Sequence, residues 1–141
     1  MTRQTLLLVL SLAATFSFAG NQAAAADPAA LRCFELRTYT AAPGKLDALN
    51  SRFRNHTLVL FKKHGMEVVG FWVPTDKEAG AGEKLVYILA HKSRAAAEAS
   101  WKAFRADPAW VAAKSASEVD GVLAAKVESV FLSGTDYSPL K

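Results

Sequence analysis

Glu35, Arg37 and Tyr39 stand at alternate positions of a strand-like run, so their side chains share one face. An arginine beside a tyrosine can clamp an anion or a carbonyl oxygen. The guanidinium offers a planar fork of donors and the phenol offers a hydroxyl. The competing reading is a plain Glu35–Arg37 ion-pair network at an interface between subunits. His56 and His64 lie eight residues apart on the helical run that follows. They could serve as a general base, or as haem or metal ligands, facing a cavity between helix and sheet. Otherwise they are histidines at the edge of a core, with His64 favoured at a helix C-terminus by the dipole. His91 ends a strand and reads as structural. Trp72, Tyr87, Trp101, Phe104 and Trp110 are many aromatics for a short chain, enough to line an apolar pocket. Trp101 and Phe104 fall on a helical stripe and read as core. The candidate ligand-binding set is Arg37, Tyr39, His56, Trp72 and Tyr87; within it, Arg37, Tyr39 and His56 are the candidates for catalysis.

Several chemistries have no residues to carry them. Three histidines with no acidic partner at ligand spacing define no metal site, and nothing calls for a cofactor. There is no nucleophile elbow, phosphate-cradling glycine loop, paired-carboxylate signature or dinucleotide fingerprint, which removes hydrolase and phosphoryl-transfer readings. The formal charge of +4 is spread along the chain rather than gathered into the basic stripe that nucleic-acid binding needs. Arg52, Arg54, Lys62 and Lys63 lie on a helix among apolar residues and read as a solvated face. The single cysteine, Cys33, makes no internal disulfide; it is either buried and inert or bridged to another chain.

The elements that must position these residues begin after residue 26. Residues 1–26 read as a secretory signal peptide: a short basic lead with Arg3, an apolar run from Leu6 to Phe18, then Ala23 to Ala26 before a cleavage point at Asp27. The apolar run is too short for a spanning helix of about 20 residues. The mature protein, residues 27–141, is then one domain of about 115 residues, periplasmic or secreted, with no membrane association after cleavage. Its first strand covers residues 31–40, and Pro43-Gly44 breaks the chain. A helix follows over 45–64, its apolar stripe carrying Leu46, Leu49, Phe53, His56 or Thr57, Leu60 and His64, with Gly65 as C-terminal cap. Residues 66–73 and 84–91 form a hairpin around a polar loop. The second of these strands is apolar on both sides, as a central strand would be. Ser93 caps a second helix, and Asp107-Pro108 restarts helical structure. The last strand covers 125–132, before a polar tail.

The order βαββαβ is the ferredoxin-like arrangement, an α+β fold with a four-stranded antiparallel sheet and its helices on one face. Neither face of that sheet can be made fully polar, and an extensive exposed apolar face marks an interface. Two sheets packed across a two-fold axis, a homodimer, would cover it.

Glu35-Leu36-Arg37-Thr38-Tyr39-Thr40 followed by Pro43-Gly44-Lys45 resembles the opening of NIPSNAP domains. Gly70-Phe71-Trp72, Leu85-Val86-Tyr87, Ser100-Trp101-Lys102-Ala103-Phe104, Asp107-Pro108-Ala109-Trp110 and Tyr137-Ser138-Pro139-Leu140 continue the resemblance in the same order. It spans residues 33–140 and implies the dimeric α+β barrel superfamily, which includes cofactor-independent monooxygenases and haem-degrading enzymes. It transfers no catalytic motif. Three readings follow: a homodimer binding a small, mostly apolar ligand, a monooxygenase-like enzyme, or a protein-interaction module. A pocket lined by Trp or Tyr around a buried polar group would favour the first two, and a solidly filled core the third.

Overall fold

The computed structural model describes residues 32–140. The signal-peptide reading of residues 1–26 lies outside them. Strand β1 (Cys33–Ala41) is central, between β3 (Lys84–His91) and β4 (Ala124–Ser133), and β2 (Glu67–Trp72) completes the order β2-β3-β1-β4. All three pairings are antiparallel. The expected ferredoxin-like sheet is therefore present, with helices on one face. Cys33 is half-buried at the start of β1.

The helical run 46–63 is continuous but not uniform. It comprises α1 (Leu46–Arg52), a π-helical segment (Phe53–Thr57) and α2 (Leu58–Lys63). The π turn inserts one residue into the α repeat. Phe53, Thr57, Leu60 and Phe61 are thereby buried, while His56 faces solvent. The run ends where expected. Gly65, at φ 69°, donates to the Lys62 carbonyl and Met66 to the Phe61 carbonyl, a Schellman closure that needs the left-handed conformation.

On the second half, Ser93 Oγ accepts from the Ala96 amide at 3.1 Å and caps α3 (Arg94–Ala106). Asp107 Oδ1 accepts from Ala109 and caps α4 (Pro108–Ser117). The other Asp107 oxygen accepts from Lys63 and His64, both at 2.7 Å, and joins the end of α2 to the start of α4. Arg52 corrects the expectation of a wholly solvated basic face. It is buried, because Glu118 beyond α4 meets its guanidinium at 2.7 Å and Trp110 lies against it. Arg54, Lys62 and Lys63 are exposed.

The core between helices and sheet is aromatic. Phe53, Phe61, Tyr87, Trp101 and Phe104 are all buried in it, and Phe61 touches Tyr87, Trp101 and Phe104 with ring centroids 5.3–5.9 Å apart. Strand alternation puts Leu85, Tyr87, Leu89 and His91 on this side of β3 and Val86, Ile88 and Ala90 on the other. The other face has no helix over it. It carries Leu36, Ile88, Trp72, Val130 and Leu132, the last three 40–53% exposed. The Trp72 ring packs against Gly70 there: a Cβ on the glycine would stand 2.7 Å from it, so the ring would have to shift.

Candidate functional site

Glu35, Arg37 and Tyr39 do share a face of β1, but it is the helix-covered one. The Glu35–Arg37 ion pair of the competing reading is present, at 2.6 Å, between sheet and helices of one chain. Register explains the gathering. Arg37 lies opposite Tyr87 on β3 and Ser129 on β4, and Glu35 lies opposite Leu89 and Phe131. His91 and Ser129, two residues away on each side, reach Glu35 diagonally.

The Glu35 carboxylate is 1% exposed and accepts four hydrogen bonds. Oε1 accepts from Arg37 Nη1 and Ser129 Oγ, each at 2.6 Å. Oε2 accepts from Trp101 Nε1 at 2.6 Å and faces His91 Nε2 at 3.2 Å. Burial alone would raise this carboxyl, but the bonds from His91, Ser129, Trp101 and Arg37 outweigh it and hold it down at about 2. At neutral pH Glu35 is a fixed anion with its lone pairs in use. It is a positioning group, unsuited to exchanging protons with a ligand.

Arg37 is what Glu35 positions. Its guanidinium carbon lies 4.2 Å from the centre of the Trp101 ring and 5.7 Å from that of Tyr39. Its side chain keeps 16% of its exposure. Its Nε, like that of Arg52, is buried and has no acceptor. Such an unmatched N–H costs free energy unless a partner arrives. Tyr87, fully buried, donates to Tyr39 Oη across a long 3.4 Å contact. Burial, and then the neighbouring Tyr39, push the Tyr87 phenol well above its ordinary range, so it stays protonated. The flank beside Arg37 is open, since Ser129 and Val127 on the helix side of β4 are exposed.

The five sequence candidates therefore divide. Arg37, Tyr39 and Tyr87 come together. His56 does not join them, because the π segment turns it outward and buries Thr57 instead. Trp72 lies on the opposite face of the sheet. His64 is engaged with Asp107. His91, Trp101 and Ser129 were missed as members. The available signal was a glutamate on the same face as Arg37 and Tyr39, since a carboxylate under a helix layer must recruit donors from whatever elements surround it. Among the described residues no group of three His, Cys, Asp or Glu side chains is placed to hold a metal ion. Nor is any of their helices long and apolar enough to cross a membrane.

The architecture is a ferredoxin-like α+β fold, a four-stranded antiparallel sheet of order β2-β3-β1-β4 with its helices on one face. The sequence model of the NIPSNAP family matches residues 34–139, and the chain belongs to that family. No curated protein matches the chain. A NIPSNAP family protein of unknown function from Agrobacterium tumefaciens superposes with a TM-score of 0.67 at 23% identity, over 79% of this chain and 95% of that one. An uncharacterised NIPSNAP domain protein from Burkholderia xenovorans gives 0.64 at 23%, over 76% and 98%. A putative antibiotic biosynthesis monooxygenase from Nitrosomonas europaea gives 0.52 at 15%, over 74% and 99%. At these identities the likeness is one of fold.

Proposed function

We propose that this NIPSNAP-family chain is an exported homodimer that binds a small, mostly apolar molecule through a carbonyl oxygen at Arg37. The part-exposed guanidinium of Arg37, held by Glu35 beside the open flank of β4, carries the reading. Glu35 already balances the charge of the guanidinium, so its accessible N–H groups suit a neutral acceptor better than a full anion. Tyr39, part-exposed beside Arg37, offers an aromatic surface to an apolar ligand, with Tyr87 and Trp101 buried behind it. The monooxygenase-like alternative would need a proton acceptor at the site. Glu35 is a saturated anion and His56 is turned away, which favours binding over catalysis.

Native mass spectrometry of protein taken from the periplasm tests this reading. The expected spectrum shows a chain beginning at Asp27 with a retained small-molecule adduct. The adduct should be absent from Arg37→Met protein that keeps the wild-type far-UV circular dichroism. An adduct that survives Arg37→Met, or wild-type protein that carries none and binds no carbonyl compound added to it, would remove the proposal.

A further inference from the structure

Apolar surface is also open along β2, one of the two edge strands of the sheet. We propose that the cleft between the 46–63 helical run and the edge strand β2 binds an elongated apolar molecule with an acidic head, of the medium-chain carboxylate class. Two depressions meet there at Leu58. One, of about 190 Å³, has Phe53, Phe71 and Leu85 in its lining and Arg54 at its rim. The other, of about 420 Å³, continues past Leu58 to Val68 and Lys62.

Three observations converge on this occupant. The lining is aliphatic and aromatic, with Phe53 against Phe71 at 5.6 Å and Leu58 39% exposed. The cations are unspent: Arg54 and Lys62 are exposed, and among the described residues neither has an ion-pair partner, whereas Arg52 is held by Glu118 and Lys63 by Asp107. The one acid in the lining, Glu67, is engaged by Arg32 at 2.6 Å. The third observation is the π segment itself. Without its inserted residue, Phe53, Arg54 and Leu58 would not keep their present facing, and π turns recur at functional positions. Arg54 and Lys62 are eight residues apart, roughly 12 Å along the helix at 1.5 Å per residue, so the cleft is long rather than round. An added β-strand fits the same edge poorly, because the ladder is irregular between Val68 and Gly70 and a bulged edge resists pairing.

The test is calorimetric titration of the full mature chain with sodium dodecanoate below its micelle concentration, beside 1-dodecanol as the uncharged analogue. Dodecanoate should bind at 1:1, with dodecanol and the double variant Arg54→Glu/Lys62→Glu each weaker by about tenfold. Both substitutions are on exposed residues, so the fold should be kept, and Arg37→Met should leave dodecanoate binding as it is. The proposal is overturned by absence of binding, by equal affinity for dodecanol, or by loss in Arg37→Met without loss in the double variant, which would put the carboxylate at the Arg37 site. A change of sedimentation coefficient in the double variant would overturn it too, by making the cleft a contact between subunits.

Discussion

Glu35 concentrates more of the site's energetics than any other residue, and its behaviour with pH follows from its four donors. Its carboxyl ordinarily titrates near 4.5 and is held at about 2 in the folded chain. The unfolded chain therefore binds more protons than the folded one between those values, and stability must rise with pH across that window. The contribution is full above about 4.5 and is lost as pH falls through about 2. The shift corresponds to roughly 3 kcal/mol. Urea denaturation of wild type and Glu35→Gln at pH 7 should differ by about that amount, and the difference should shrink towards pH 2. A gap independent of pH over this range would mean that the four hydrogen bonds do not act on the charge. The sequence made half of this cluster legible. The alternation of Glu35, Arg37 and Tyr39 put three groups on one face, but the direction of that face depends on which side the helices choose. His91, Trp101 and Ser129 come from three other elements, and only the register brings them within reach.

At the scale of elements, the punctuation was readable and the internal irregularity was not. Ser93, Asp107-Pro108 and Gly65 act where their side chains or conformations satisfy orphan backbone groups, a local requirement that the sequence states directly. The π segment is different. Leu49, Phe53, Thr57, Leu60 and Phe61 are compatible with an ordinary amphipathic stripe, and a one-residue insertion inside it leaves no mark in composition. That insertion decides that Thr57, and not His56, is buried. Arg52 shows the same limit. Its burial depends on Glu118, more than sixty residues away in the chain. Where the signal is local the consequence can be stated. A Cβ at Gly65 meets no atom within 4 Å, so a side chain there has room and only the backbone resists it. With φ at 69°, Gly65→Ala should destabilise by about 1 kcal/mol. Thermal denaturation checks this, and an unchanged midpoint would show that the Schellman closure can relax without loss.

For the whole molecule, the order of elements and the four-stranded sheet followed from hydrophobic patterning, because each strand and helix states its own period. The proposed homodimer rests on what the fold leaves uncovered. Leu36, Ile88, Trp72, Val130 and Leu132 lie on the face without helices. Val130 is 53% exposed on a strand that a single chain leaves bare, and Trp72, packed against Gly70, is 51% exposed. An apolar face of this kind is stable in water when a second surface covers it. The proposed homodimer would do so by packing the two open faces across a two-fold axis, each residue facing its own equivalent or a near neighbour. Two substitutions separate this arrangement from a general loss of stability. Val130→Lys puts a charge where the axis would bring two copies together, and it removes no core contact, since the side chain points away from the helices. Gly70→Ala forces the Trp72 ring off the sheet and changes the shape of the same face. Sedimentation velocity should give a dimer for the wild type, a monomer for Val130→Lys and a weakened dimer for Gly70→Ala. The circular dichroism of all three should stay the same, because the helix-side core around Phe61 and Tyr87 is untouched. A wild type that sediments as a monomer at micromolar concentration would instead leave the open face exposed in solution, and the homodimer would have to be abandoned.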